Sequence, residues 1–199
     1  MLALWAVAGA AEPDQASMMV GHFQDATVIM LSVVVGEVDS ARAGAKTLSK
    51  VEEAPEGLRE AAKAVADCRK VSCAAPAVAA LARTCAECHV ATGQGPRPHG
   101  VDAVPGRNAR ERHIYASLFA WIGLVTPMEG PFTLGVNEAI PPVDLESPDE
   151  LNALSTAFRA RAAEALATSS LAERSAAFGR MVEACAACHE AAGVPADAQ

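Results

Sequence analysis

Aromatic side chains are scarce in this sequence, which has two Trp, one Tyr and five Phe among its 199 residues. Long runs of β-branched residues are also missing, whereas alanine is abundant, and this balance favours helices over strands. A conventional core made from so few large side chains would be thin. The composition therefore indicates a helical protein that needs a further source of apolar bulk.

Positive charge is in deficit as well, since 16 Lys and Arg residues stand against 24 Asp and Glu, for a net charge of −8. Nucleic acid is bound through basic patches, so this balance excludes a nucleic-acid-binding protein. An acidic surface instead fits a soluble protein that meets a basic surface on a protein partner.

Beyond the first residues, no segment has the roughly 18 uninterrupted apolar residues that a membrane-spanning helix requires. Residues 2–10 are apolar and end in Ala8-Gly9-Ala10, as a signal peptide does before its cleavage site. We therefore predict that residues 1–11 are the remnant of a signal peptide. Its basic segment is missing, which leaves open a start upstream of Met1, and a frayed apolar N-terminus is the alternative. No cysteine near the start resembles a lipid-attachment site, so we expect a freely soluble protein exported to the periplasm.

Four of the six cysteines fall in a pattern, Cys-x-x-Cys-His, that occurs twice: at Cys85, Cys88 and His89, and at Cys185, Cys188 and His189. This pattern is the attachment signature of a c-type haem, in which two thiols add to the porphyrin vinyl groups and the histidine binds the iron. Two copies about 100 residues apart predict two covalent haem c groups, which would also supply the missing apolar bulk. Paired zinc or thiol-redox sites are the alternatives, although zinc needs four converging ligands and each motif offers three.

The two remaining cysteines, Cys68 and Cys73, lie five positions apart. In an oxidising compartment such a pair most simply forms a local disulfide, here across a predicted turn between helices. Because the loop is short, the bond would mainly brace that turn. Two inert thiols, or a redox-active pair, are the alternatives.

Periodicity and turn residues predict an all-α fold made of two tandem haem units. The first covers 12–93, a Gly/Pro-rich linker covers 94–107, and the second covers 108–195. Each unit is expected to be an antiparallel bundle of four helices, A to D, with the cysteine motif near the end of D. An up-down-up-down bundle brings the start of A to the same end as the end of D.

Capping residues and helix breakers place the helix boundaries. In the first unit we predict helices over 13–35, from Asp39 or Ser40 to 51, over 58–68, and from 74–76 to Gly93. In the second we predict 109–125, a short or distorted helix within 129–148, a helix from Pro148 to 167 behind a Ser147 cap, and a last helix capped by Ser169 or Ser170. The apolar stripe of helix A is expected to comprise Val20, Phe23, Thr27, Met30, Leu31 and Val34.

Five histidines are present, and two of them belong to the motifs. His22 and His113 occupy matching places near the starts of the two A helices, each followed by an apolar residue and an apolar stripe. The topology brings these starts towards the ends of the D helices. We therefore predict two six-coordinate haems, with His22 opposite His89 and His113 opposite His189.

Two other side chains are candidates for haem contact. Met18 competes with His22 in the first unit, because residues four apart share a helical face. The second unit has Ala109 at the corresponding place, so a methionine ligand would not be shared. His99 lies in the linker and is expected at the surface.

A helical unit with Cys-x-x-Cys-His near the end of its fourth helix resembles cytochrome c′ and its six-coordinate relatives. The resemblance covers each half separately, so the chain looks like a tandem, dihaem version, and it rests on the two motifs and the helix order. Cytochrome c′ typically has a five-coordinate iron behind an apolar distal residue on helix A. Histidines at 22 and 113 depart from that pattern and favour electron transfer over gas binding. The Pro-rich region of the second unit also departs from a regular bundle, which leaves open a packing of A and D helices between units.

A filled sixth position makes a haem iron an electron relay. We therefore expect a dihaem cytochrome c that carries single electrons between redox partner proteins, and not an enzyme; a homodimer is left open. An NO or CO sensor or carrier is the alternative, and it would need an open haem. A dihaem peroxidase or reductase would also need a distal acid–base group, for which the sequence offers Gln24, Asp25, Glu111 and Arg112.

Overall fold

A computed structural model describes residues 15–93, 109–140 and 149–193. Eight α-helices account for nearly all the regular structure of these residues. Within these ranges the side chains of 15, 16, 109–113 and 150 are not described. The helices are α1 (Gln15–Val34), α2 (Val38–Leu48), α3 (Glu56–Asp67), α4 (Val71–Thr92), α5 (Ala109–Val125), α6 (Glu129–Ala139), α7 (Asp149–Leu166) and α8 (Leu171–Ala191). The described residues form no strand, so the predicted all-α class is confirmed.

Helices that follow one another in the chain pack side by side within each half, α1–α4 and α5–α8. In the first half, α1 contacts α2, α2 contacts α3, α3 contacts α4, and α4 contacts α1. The second half repeats this order from α5 to α8. The halves are also joined, because α4 packs along α8, α1 contacts α8, and α4 contacts α5. The A and D helices therefore do pack between the halves, α1 against α8 and α4 against α5.

The contact between α4 and α8 is antiparallel and lies near the starts of both helices. The Ser175 hydroxyl donates to the Ala79 carbonyl oxygen at 2.7 Å. One turn further along α8, a Cβ added at Gly179 would lie 3.2 Å from the Cα of Pro76. Residue numbers thus rise along α8 while they fall along α4. Both cysteine motifs lie beyond this crossing, so they point towards opposite ends of the pair.

Three predicted helix starts in the first half are wrong. Helix α3 begins at Glu56 rather than at 58. Helix α2 begins at Val38, and no side chain caps it. Asp39, one of the proposed caps, instead lies inside the first turn and forms an ion pair with Arg42 at 2.8 Å. Helix α4 begins at Val71 rather than at 74–76, so that Pro76 is an internal residue. Pro76 is the sixth residue of α4, and the helix continues through it although the carbonyl of Ser72 has no intrahelical amide donor there.

The region expected to be short or distorted is a regular helix, α6, of 11 residues, the same length as α2. Its glycines mark a close approach to α5 and do not break the helix. A Cβ at Gly135 would lie 2.3 Å from the Ala120 amide nitrogen, and one at Gly123 would lie 2.2 Å from the Phe132 amide nitrogen. Pro131 lies in the first turn, where no intrahelical amide partner is needed. The proposed Ser147 cap of α7 lies outside the described residues.

The core contains the few large side chains of the sequence. Trp121 is fully buried, its ring centroid lies 6.0 Å from that of Phe178, and its indole N–H donates to the Thr27 hydroxyl at 3.0 Å. The predicted stripe of α1 is correct at Met30 and Val34, which are buried, and wrong at Val20, which is 56% exposed. The remaining core positions are largely alanine and valine, as the composition suggested.

Helix α1 is long and apolar enough over Ser17–Val34 to cross a membrane or to serve as an export signal, and 28% of that stretch is buried within the protein. The test rests on length and composition alone. The same helix contributes Met30 and Val33 to the core and accepts a hydrogen bond from Trp121 at Thr27. These contacts are those of a helix that packs within the fold. The predicted signal-peptide remnant, 1–11, lies outside the described residues.

Substitution of Gly135 by alanine is expected to lower the free energy of unfolding, because the new methyl group would collide with backbone atoms of α5. Overpacking of this kind costs about 1–3 kcal/mol. Chemical denaturation measures the change. Gly130→Ala is the control on the same helix, since an added Cβ there meets nothing within 4 Å. Equal stabilities of the two variants would show that the helices do not approach as described.

Candidate functional site

Each Cys-x-x-Cys-His motif lies on a single helix near its end. Cys85, Cys88 and His89 belong to α4, and the second motif belongs to α8. Residues three and four apart share a helical face, so the two thiols and the imidazole of each motif lie on neighbouring positions of one surface. This arrangement can present two thiols to one side of a planar ligand and an imidazole to its centre.

Three of the motif thiols, those of Cys85, Cys185 and Cys188, are disfavoured as thiolates. Burial, with a smaller contribution from the neighbouring Cys88, raises the pKa of the Cys85 thiol to about 12. Burial, with a smaller contribution from Cys188, likewise raises the pKa of Cys185 to about 12, and burial raises the pKa of Cys188. Redox-active cysteines have lowered pKa values instead. Burial of these thiols therefore disfavours the thiol-redox alternative.

Each motif histidine is hydrogen-bonded to a helix of the other half. His89 Nδ1 lies 2.9 Å from the carbonyl oxygen of Val125, the last residue of α5. His189 Nδ1 lies 3.0 Å from the carbonyl oxygen of Val34, the last residue of α1. The two contacts are equivalent, because they join corresponding residues of the two halves in opposite directions.

These contacts determine the tautomer of each motif histidine. A carbonyl oxygen can only accept, so Nδ1 must carry the hydrogen and donate it. In that tautomer the lone pair is on Nε2, which is the nitrogen then able to bind a metal. Histidines that bind metals commonly have their other ring nitrogen bonded in this way, because the bond orients the ring and increases its basicity.

The proposed distal histidine of the first unit is buried. His22 on α1 is 9% exposed, and its Nδ1 is buried without a hydrogen-bond partner among the described residues. An unpaired buried nitrogen is unfavourable, and it leaves this atom able to form a hydrogen bond or to bind a ligand. Helix α1 packs against α4, the helix that carries His89. The pairing of His22 with the haem at Cys85 and Cys88 remains a prediction.

The other candidate ligands are described less fully. His113 lies on α5, twelve residues before Val125, and His22 lies twelve residues before Val34. The two histidines therefore hold the same place relative to the carbonyl that each helix offers, although the side chain of His113 is outside the described part of the chain. Met18 is partly exposed on α1. His99 lies outside the described residues.

The two motif helices begin at corners that are stabilised differently. Cys68 and Cys73 form the expected disulfide, which closes the corner before α4. At the equivalent corner before α8, the carboxylate of Glu173 accepts hydrogen bonds from the amides of Ser169 and Ser170, each at 3.0 Å. Ser170 completes a capping box, as one of the two proposed caps. Sequence reasoning missed the contribution of Glu173, although a serine followed three residues later by glutamate is a signal for it.

The described residues contain no group of three or more His, Cys, Asp or Glu side chains that could hold a metal ion by themselves. Comparison with protein-family models, curated proteins and solved structures finds no match to this chain. The functional assignment of the candidate site therefore depends on the residues of this chain alone.

The start of α8 is expected to weaken in acid. Hydrogen bonds from the Ser170 and Ser169 amides, with smaller contributions from the two hydroxyls, lower the pKa of Glu173 from 4.5 to about 2. A lowered pKa means that the stabilisation is present above pH 4.5 and is lost as the pH falls towards 2. Replacing Glu173 by Gln should therefore reduce the acid dependence of unfolding in this interval, measured by thermal denaturation at a series of pH values. Glu183→Gln on the same helix is the control, and an equal reduction in both variants would contradict the assignment.

Proposed function

We propose that this protein is a soluble, exported dihaem cytochrome c that carries single electrons between redox partner proteins. In this proposal the two halves are tandem helical bundles of the cytochrome c′ type, each with one covalent haem c. The observation that carries the proposal is the pair of Nδ1–carbonyl hydrogen bonds at His89 and His189. They support it because a histidine that donates from Nδ1 has its Nε2 lone pair available to bind iron.

The residues of each motif fit a covalently attached haem. Cys85 and Cys88, like Cys185 and Cys188, would bind the porphyrin as thioethers, which need no stable thiolate and are therefore compatible with raised thiol pKa values. A haem supplies a one-electron couple between ferric and ferrous iron. His89 and His189 would hold the iron, and the carbonyls of Val125 and Val34 would orient their imidazoles. The few aromatic residues of the core would be supplemented by the two porphyrins.

The buried imidazole of His22 supports a closed sixth position in the first unit. His113 shares its register and is proposed as the equivalent ligand in the second unit. If both bind iron, neither haem has room for a small ligand, and each site can only accept and release electrons. Ligation by two imidazoles also favours a lower reduction potential than ligation by histidine and methionine.

The charge of the chain supports a protein partner with a basic docking surface. A net charge of −8 would steer such a partner and make the encounter fast and sensitive to salt. Export to the periplasm is proposed because covalent haem attachment is inferred and because Cys68 and Cys73 form a disulfide, which persists in oxidising compartments.

Covalent attachment is tested by haem staining of the denatured, exported protein. The full chain is expected to retain two haems. Replacing Cys85 and Cys88 by Ala should leave one, and replacing the second cysteine pair as well should leave none. The control is Cys68→Ala with Cys73→Ala, which removes two cysteines but should retain both haems. An unstained full chain, or loss of haem in the control alone, would refute the attachment sites.

The distal ligands are tested by absorption and EPR spectra of the loaded protein with and without CO. Two low-spin haems that do not respond to CO are expected, because both sixth positions are filled. His22→Ala and His113→Ala should each convert one haem to a high-spin, CO-binding form. If the unaltered protein binds CO, the gas-binding alternative is correct for that haem. If both variants stay low-spin, other residues are the ligands.

A further inference from the structure

The helices α1 and α5 end in turns that share one hydrogen bond. At the end of α1, the Glu37 amide donates to the Ser32 carbonyl at 2.8 Å and the Gly36 amide donates to Val33 at 3.0 Å. These two bonds form a Schellman motif, in which Gly36 takes a left-handed conformation with φ of 84°. At the end of α5, the Met128 amide donates to the Gly123 carbonyl at 2.9 Å, which is the equivalent of the Glu37 bond. Pro127 holds the place of Gly36 there and has no amide hydrogen for the second bond.

The Schellman motif leaves one carbonyl at the end of α1 for another partner. The last four carbonyls of a helix have no intrahelical amide to accept from, and the turn provides donors for the earlier ones. Val34 is the last residue of α1, and the donor to its carbonyl is the imidazole of His189. His89 likewise donates to the carbonyl of Val125, the last residue of α5. His189 thus completes the C-terminal cap of α1, and His89 bonds to the last carbonyl of α5 at the corresponding place.

We infer that the backbone carbonyls of Val34 and Val125 each position the motif histidine of the opposite half. The end of α1 orients the proposed haem ligand His189 of the second half, and the end of α5 orients His89 of the first. This inference rests on the proposed function for its haem, but the crossed hydrogen bonds do not. The carbonyl end of a helix carries partial negative charge, which favours a donating imidazole there. Donation from Nδ1 increases the electron density at Nε2 and so strengthens the bond to iron.

A consequence is that the properties of each haem depend on a turn in the opposite half. Gly36 lies in the first half, between α1 and α2, and its positive φ keeps the Val34 carbonyl directed at His189. A residue with a Cβ at this position is strained, even though an added Cβ would meet nothing within 4 Å. Disturbing this turn should therefore change the second haem and spare the first.

The test compares full-length Gly36→Ala with Gly93→Ala. Gly93 ends α4 with φ of 66°, and an added Cβ there also meets nothing within 4 Å, so the two substitutions introduce matched strain. Two readouts are taken. The first is the ¹⁵N resonances of the His89 and His189 rings in the chain produced without haem, which report the tautomer of each ring. The second is the midpoint potential of each haem in the loaded protein, assigned with chains that lack one pair of attachment cysteines.

Gly36→Ala is expected to shift the His189 ring towards a mixture of tautomers while the His89 ring is unchanged. In the loaded protein it should raise the midpoint potential of the haem at Cys185 and Cys188, because the iron loses electron donation. Gly93→Ala should leave the His189 resonances and that potential as they are. Gly36→Asn should restore most of the normal behaviour, since asparagine tolerates the left-handed conformation.

Equal effects on both histidines, an effect confined to His89, or an unchanged His189 ring would overturn the inference. If Gly36→Ala does not fold, the smaller shift expected from Gly36→Asn carries the same comparison. A chain that never acquires haem would refute the proposed function, whereas the ring resonances of the haem-free chain would still decide whether the positioning is crossed.

Discussion

The crossed hydrogen bonds between imidazoles and helix ends are the contacts on which the arrangement of the candidate sites depends. A helix end has carbonyls that need donors, and a metal-binding histidine needs an acceptor for its second nitrogen. One bond satisfies both needs. Because His89 bonds to Val125 and His189 bonds to Val34, the two halves complete each other. We infer that neither motif histidine would be oriented in the same way in an isolated half.

The antiparallel crossing of α4 and α8 separates the two sites. The crossing is close at Gly179 and Ala79, where small residues let the backbones approach. His89 and His189 each lie ten residues beyond it, or about 15 Å along the helix axis, in opposite directions. In the proposed cytochrome, two haems at opposite ends would present separate edges to partners. The halves are alike in plan but differ in detail, as the disulfide before α4 and the capping box before α8 illustrate.

The sequence was informative where a pattern has a single local cause. The end of α4 at Gly93, the Ser170 cap and the span of α5 could all be predicted because they depend on neighbouring residues. Prediction failed where a tertiary contact changes the effect that a residue has on its helix. Gly135 suggested a distorted segment, but it lets α6 lie against α5. The hydrogen-bond partners of the motif histidines could not be predicted, because they are backbone carbonyls, which every residue has whatever its side chain. The matching intervals from His22 to Val34 and from His113 to Val125 become meaningful only once those partners are known.

The most direct test of the account is X-ray diffraction from the haem-loaded protein at the iron absorption edge. The account predicts two iron positions, one bonded to Nε2 of His89 and one to Nε2 of His189, while both Nδ1 atoms remain hydrogen-bonded to Val125 and Val34. An absent or single iron position would contradict the dihaem proposal. Two irons whose proximal imidazoles bond only to groups of their own half would contradict the crossed arrangement.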